Sequence, residues 1–173
     1  MILKGLKMFT AVCAMAAAGL IVPTHALAQG SGTVLHPADV QKLLPPAVYY
    51  KGQSAPTQLR NSGGVKFSDG SYMLATLVDN SGYSSDVATK YQAYFITEVP
   101  LEIGGHKLPA GVYGAGFLPG NKFVITDVGG HDVLTAASTH DDAIKRPMPL
   151  EVKADAAGGY RFYTGRNYVK FHR

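Results

Sequence analysis

Cysteine and tryptophan are nearly missing from this chain of 173 residues, which has one cysteine and no tryptophan. Cys13, the single cysteine, lies inside an apolar run near the N-terminus. If that run is removed, the remaining chain has no disulfide, no thiolate nucleophile and no cysteine ligand for a metal ion. Chemistry that depends on a thiol is therefore excluded for the remaining chain.

The sequence motifs that usually indicate catalysis are missing as well. There is no Gly-x-Ser-x-Gly nucleophile elbow, and no glycine-rich loop opens a helix that would cradle a phosphate. No spacing of carboxylates indicates a glycosidase pair, and no recognised nucleic-acid-binding motif occurs. We therefore predict no catalytic residue, no cofactor and no nucleic-acid partner.

The N-terminus has the order of a secretory signal peptide. Lys4 and Lys7 precede an apolar run over residues 8–22, and Ala26-Leu27-Ala28 has the small-residue pattern of a cleavage site. The run is shorter than the roughly 20 apolar residues that span a bilayer. We predict that residues 1–28 are a Sec-type signal peptide removed after Ala28. The protein is then a bacterial periplasmic or secreted protein without stable membrane insertion, and an uncleaved anchor is the alternative.

The rest of the chain has the length of one domain. Removing residues 1–28 from 173 leaves 145, enough for a single core. Residues 29–36 begin with Gln-Gly-Ser-Gly and are predicted to be a flexible start. Residues 37–173 are predicted to form a single β domain. Pro37 suits the first position of a short helix that ends before Pro45-Pro46.

After Pro46 the pattern is that of short strands separated by turn residues. In residues 90–99, Tyr91, Ala93 and Phe95 alternate with more polar positions, as in a half-buried strand. Gly-, Asn- and Asp-rich segments separate such runs and favour antiparallel neighbours. We predict a mainly β fold: a single antiparallel meander with one short N-terminal helix. It closes either as a small β-barrel of about eight main strands or as a two-sheet β-sandwich.

Two glycines at alternate positions of one predicted strand indicate a close approach. Gly114 and Gly116 share a face that therefore has almost no side chains. We expect an aromatic ring, the short helix or a ligand to lie against that face.

Histidine and aspartate residues provide the candidate metal ligands. His131 and Asp132 precede a predicted strand, and His140 and Asp141 follow it. Imidazole and carboxylate groups bind zinc or calcium. However, a straight strand places the two pairs on the order of 20 Å apart, so ordinary turn chemistry is the alternative. A neighbouring carboxylate, Asp127, is predicted to point inward and to pair with an arginine, because isolated burial of a charge is too costly.

Tyrosine and arginine residues provide the candidate ligand-binding surface. All ten tyrosines follow residue 28, and tyrosine offers apolar area with a polar tip. Residues 145–173 carry seven Lys or Arg against two Asp or Glu, a balance that can attract anions. Solvent-facing strand positions are the simpler interpretation of those charges. The predicted ligand-binding residues are Tyr91, Tyr113, Arg161, Tyr163 and Arg166.

These observations favour a non-enzymatic function. We expect a binding or interaction module of the cell envelope, with a small or anionic ligand or a protein as its partner. One alternative is a hydrolase-like enzyme built on loop His, Asp and Glu residues, and another is a structural envelope protein. The sequence predicts no particular oligomeric state.

Overall fold

The structure is a computed structural model and describes residues 32–173. This part of the chain contains fourteen strands and two short helices. The predicted signal peptide, its cleavage site and residues 29–31 lie outside the described residues. In chain order the elements are β1 (Thr33–Leu35), α1 (Pro37–Val40), β2 (Ala47–Tyr50), β3 (Gln53–Lys66), β4 (Tyr72–Val78), α2 (Ser85–Lys90), β5 (Ala93–Thr97), β6 (Leu101–Ile103), β7 (His106–Leu108), β8 (Gly111–Leu118), β9 (Lys122–Thr126), β10 (Asp132–Ala137), β11 (Thr139–His140), β12 (Glu151–Ala154), β13 (Tyr160–Thr164) and β14 (Asn167–His172).

The strands form two antiparallel sheets. Sheet 1 has the order β1-β3-β4-β5-β8-β9-β10, and β2 also pairs with β3. Sheet 2 has the order β12-β13-β14-β6-β7, and β11 also pairs with β14. The mainly β, antiparallel prediction is confirmed, and the sandwich-like alternative fits the two sheets.

The barrel alternative is not confirmed, since the strands of residues 32–173 form no closed barrel. On one side the chain passes from sheet 1 to sheet 2 at Ser138, between β10 and β11. On the other side β12 lies beside β1 and β3 but does not pair with either strand. Gly63 permits this approach, because a Cβ there would lie 3.2 Å from the backbone nitrogen of Val152. The sheets therefore pack together without a continuous ladder of backbone hydrogen bonds between them on this side.

The main core lies between the two sheets. Phe162 of β13 is its centre, with its ring 5.7 to 6.0 Å from those of Phe95, Phe117 and Phe123. Each of these rings belongs to a strand whose alternate residues point the other way, so strand periodicity selects the side chains that enter the core. Every second residue from Tyr91 to Val99 is buried, which confirms the alternation predicted there.

The helix α1 covers part of the outer face of sheet 1 with its apolar side chains. Val40 and Leu44 are buried against Leu74 of β4. Because α1 takes up one face of β4 and the core takes up the other, both apolar faces of this strand are covered. The regular helix ends at Val40, earlier than predicted, and Leu43 donates to the Val40 carbonyl in a tighter turn before Pro45.

Two segments differ from their predicted structure. Within the predicted flexible start, Thr33–Leu35 form β1, whose backbone pairs with Gly64–Lys66 of β3. The prediction of one short helix omits α2, around which the Asn80 side chain donates to the carbonyls of Ala88 and Tyr91. Pairing with β3 orders the first segment, and these side-chain hydrogen bonds order the second. Within residues 32–173, no helix is long and apolar enough to cross a membrane.

Candidate functional site

The structure divides the predicted site residues into two groups. Tyr91, His131 and Asp132 lie at one end of sheet 1, around α2 and the turn between β9 and β10. The second group lies on and beside the outer face of sheet 2 and consists of His140, Asp141, Arg161, Tyr163 and Arg166. Tyr113 belongs to neither group, because its hydroxyl donates to the Pro109 carbonyl at the start of β8.

The sheet 2 group is centred on a buried carboxylate. The Asp155 side chain is only 2% exposed and accepts two hydrogen bonds from Arg161, with Nε at 3.0 Å and Nη2 at 3.1 Å. Lys170 Nζ lies 2.9 Å from the same carboxylate. These donors hold the pKa of Asp155 well below its usual range. The arginine is thereby committed to an ion pair that fastens β13 and β14 to the turn after β12.

The remaining members of this group are bonded to protein atoms as well. The Tyr163 hydroxyl donates to Asp141 Oδ2 at 3.0 Å. Arg166 Nε donates to the Ile144 carbonyl at 2.9 Å. The structure therefore brings together three of the predicted ligand-binding residues, but Tyr163 and Arg166 hold residues 141–144 against sheet 2 and Arg161 holds Asp155.

The candidate metal ligands do not form a common site. His131 Nδ1 lies 3.0 Å from Asp127 Oδ2, while Asp132 pairs with Lys90. His140 instead contacts Asn167 and Asp142 at the other end of the β10–β11 segment. Within residues 32–173, no three His, Cys, Asp or Glu side chains lie close enough together to hold a metal ion.

The prediction that Asp127 is buried against an arginine is wrong. Its side chain is 43% exposed and closes the β9–β10 turn, where it accepts a hydrogen bond from the His131 backbone N–H at 2.9 Å. This bond and the contact with the imidazole lower the pKa of Asp127. The inward position is lost because the regular strand ends at Thr126.

A separate aromatic cluster lies outside the main core. We call Tyr50, Tyr83 and Tyr91 the tyrosine cluster. The rings of Tyr50 and Tyr91 stack with centroids 3.6 Å apart and an angle of 10°. The Tyr83 ring meets both edge-on, at 5.9 and 5.6 Å.

The two alternate glycines of β8 make room for this cluster and for α2. A Cβ at Gly114 would lie 2.7 Å from the Tyr91 ring and 2.9 Å from the Tyr50 ring. A Cβ at Gly116 would collide with the carbonyl group of Lys90, at the end of α2. The close approach that the sequence predicts is therefore made by aromatic rings at one glycine and by helix backbone at the other.

The three hydroxyl groups of the tyrosine cluster differ in their partners. Tyr50 shares a 2.7 Å hydrogen bond with Thr126 Oγ1, and Tyr83 donates to the Tyr50 carbonyl at 2.9 Å. Tyr91 is fully buried, yet its hydroxyl has no hydrogen-bond partner among residues 32–173. Burial raises the pKa of Tyr91. A buried polar group without a partner costs roughly 1–3 kcal/mol.

A pocket of about 140 Å³ adjoins the tyrosine cluster, and Tyr50 belongs to both. Three segments build it: the β2–β3 hairpin, α2 and the β9–β10 turn. Nothing in the sequence marks these segments as neighbours, so none of the lining residues is among the predicted site residues. The pocket is lined by Tyr50, Lys51, Asp86, Val87, Lys90 and Gly130.

A larger groove of about 450 Å³ lies on sheet 2, between Pro100 and Pro109. Two of the charged or titratable side chains at its rim, Arg173 and His172, have protein partners, whereas Lys107 has none among residues 32–173. Arg173 pairs with Asp69 at 2.7 Å, and His172 Nε2 lies 3.7 Å from Glu102 Oε1. Among residues 32–173, a buried side-chain polar atom without a partner occurs in the tyrosine cluster and not in this groove.

The fold defines a two-sheet antiparallel β protein with a small pocket outside its core. No family model, curated protein or solved structure matches the chain.

Proposed function

We propose that this protein is an exported, non-enzymatic binding module of the bacterial cell envelope, and that it holds a small molecule at the tyrosine cluster and the adjoining pocket. The observation that carries the proposal is the buried Tyr91 hydroxyl, which has no partner among residues 32–173. Phenylalanine would fill the same space without this cost. Tyr91 does not itself line the pocket, so the proposed ligand extends from the pocket into the tyrosine cluster and hydrogen-bonds to this hydroxyl there.

The construction of the site supports a binding role. The tyrosine cluster packs on the outer face of sheet 1 and is separate from the main core. Its covering helix, α2, has no buried side chain of its own. Sheet 1 thus provides the floor of the site, and α2 covers it with side chains that are only partly buried. Such a site can admit a ligand without disturbing the core.

The features of the sheet edges favour a small molecule over a protein that adds a strand. β7 has only three residues and is followed by Pro109. β10 is interrupted by a bulge at Val133, where its register with β9 shifts. Short, bulged or proline-flanked edges resist pairing with another chain.

The hydrolase-like alternative has less support. His131 and Asp127 form an imidazole–carboxylate pair, but the His131 side chain is 82% exposed. A general base acts on a substrate held in place by a surrounding site. This pair lies on an exposed turn, and the turn itself accounts for the contact.

The export part of the proposal is tested by the N-terminus of the protein recovered from the periplasm. If residues 1–28 are removed, the recovered chain should begin at Gln29. An N-terminal sequence that begins at Met1, with the protein bound to the membrane, would support the uncleaved anchor instead.

The binding part is tested by native mass spectrometry of protein purified from its own periplasm. We expect a non-covalently bound small molecule on the wild-type protein and on the Tyr49→Phe control, whose tyrosine is 66% exposed. The Tyr91→Phe variant should lose it, because the hydroxyl that holds the ligand is removed. Equal retention by Tyr91→Phe, or no ligand on the wild-type protein, contradicts the proposal.

A further inference from the structure

The charged side chains that line the pocket beside the tyrosine cluster differ in whether they have a protein partner. Lys90 Nζ lies 2.7 and 2.8 Å from the two carboxylate oxygens of Asp132, so its charge is neutralised. Lys51 and Asp86 also line the pocket, and neither side chain has a hydrogen-bond or ion-pair partner among residues 32–173. Both residues are exposed, so one cation and one carboxylate line the same small space and neither is paired with a protein group.

The backbone at Lys51 is unusual for a lysine. Lys51 and Gly52 form the tip of the β2–β3 hairpin, and Lys51 has a φ of 46°. A side chain with a Cβ is strained in this left-handed region, and Asn or Gly is the usual residue there. The other non-glycine residue with positive φ in the described chain is Asn121, which follows that preference. Lysine at position 51 therefore introduces backbone strain that an asparagine or glycine in the same turn would avoid.

The hairpin tip is held in place over the pocket. The Lys51 backbone N–H donates to the Val128 carbonyl at 2.8 Å. A Cβ on Gly130 would lie 3.2 Å from Lys51 Nζ and 3.5 Å from the Tyr50 hydroxyl. The glycine thus leaves space for the ammonium group beside a tyrosine hydroxyl, which fixes one charged end of the pocket.

We infer that the ligand of this pocket is a small zwitterion of amino-acid size, whose carboxylate meets Lys51 and whose ammonium group meets Asp86. This inference rests on the proposed binding function and specifies its ligand class. The pocket volume of about 140 Å³ restricts the ligand to a small molecule. The opposite charges of Lys51 and Asp86 match those of a zwitterion, and Tyr50 and Val87 add apolar surface to the same lining.

The test uses small probes of defined charge, with binding followed through the backbone amide shifts of Val87 and Gly130 in the ¹H–¹⁵N NMR spectrum. Alanine carries both charges, acetate carries only the carboxylate and ethylammonium only the cation. We expect saturable shifts with alanine and at least about tenfold weaker binding of the two singly charged probes, because each loses one charge-assisted contact.

Two variants and a control identify the residues. Lys51→Asn and Asp86→Asn should each weaken alanine binding about tenfold, while Lys107→Asn on sheet 2 should leave it unchanged. Asparagine suits the positive φ at position 51, so Lys51→Asn should also unfold at a urea concentration no lower than that of the wild-type protein.

The outcomes separate this inference from the proposed function. Acetate binding as tightly as alanine would reduce the site to an anion site and overturn the inference. Absence of alanine-induced shifts would overturn it too. If native mass spectrometry still finds a ligand that Tyr91→Phe loses, the binding function stands and only the ligand class is wrong.

Discussion

Single hydroxyl groups distinguish otherwise similar tyrosines in this protein. Tyr50 and Tyr91 are stacked on each other and are both buried, but only Tyr50 has a hydroxyl partner among residues 32–173, namely Thr126. The aromatic rings contribute apolar burial in both cases. The difference in their contributions to stability therefore comes from the oxygen atoms alone.

Removing these two oxygens should have opposite effects on stability. Tyr91→Phe is expected to raise the free energy of unfolding by about 1 kcal/mol, because it removes a buried group without a partner. Tyr50→Phe should lower it by about 1 kcal/mol, because the 2.7 Å bond to Thr126 is lost. Urea unfolding followed by circular dichroism measures both changes. A loss of stability in Tyr91→Phe would show that its hydroxyl is already satisfied in the unliganded protein.

Among the secondary-structure elements, α2 depends on a glycine of the neighbouring strand for its close approach to sheet 1. The helix has six residues and no buried side chain. Its C-terminal carbonyl, from Lys90, lies against Gly116 of β8, and the Lys90 side chain reaches Asp132. Glycine in a strand interior usually weakens the strand. Here it allows the backbone of a helix to lie directly on the sheet.

Gly116→Ala should therefore displace α2. Its Cβ would lie 2.8 Å from the carbonyl carbon of Lys90 and 3.1 Å from the Cα, and backbone atoms cannot rotate away. We expect a loss of about 1–3 kcal/mol in unfolding free energy, together with changed amide shifts in residues 85–90. The matched control is Gly82→Ala, where the nearest atom to the new Cβ is a side-chain nitrogen at 4.0 Å. Equal stability of the two variants would contradict this account.

At the scale of the whole molecule, carboxylates with lowered pKa values link distant parts of the chain. Asp155 binds Arg161 and Lys170 within sheet 2, and Asp69 binds Arg173 near the C-terminus. Hydrogen bonds, from Ser71 above all for Asp69 and from Arg161 for Asp155, lower the pKa of both. An unfolded chain lacks these bonds, so its aspartates titrate near their ordinary pKa of about 3.9.

This difference sets the direction of the pH dependence. Below about pH 4 the unfolded state binds more protons than the folded state, so stability should decrease as the pH falls. Urea midpoints between pH 7 and pH 2.5 measure the effect. Asp155→Asn should be about 2 kcal/mol less stable at pH 7 and should show a weaker dependence on pH. Asp142→Asn, at a side chain that is 95% exposed, is the control and should retain the wild-type profile.

Strand periodicity made much of the architecture predictable. The alternation around Phe95 and the apolar faces of residues 71–79 depend on nearest neighbours along the chain, and turn residues separate the strands. These local signals predict a mainly β, antiparallel fold with a helix at Pro37. They also predict that something approaches Gly114 and Gly116, but they contain no information on which segment does so.

The class of fold and the direction in which most strand side chains point thus follow from the order of residues along the chain. The pairing of distant groups follows from the packing of the folded chain: β1 meets β3, Asp155 rather than Asp127 meets an arginine, and Lys51 meets the turn at Gly130. The physical reason is that periodicity is a property of consecutive residues. A hydrogen bond such as that from Gly32 to the Tyr160 hydroxyl depends on how segments 128 residues apart pack together.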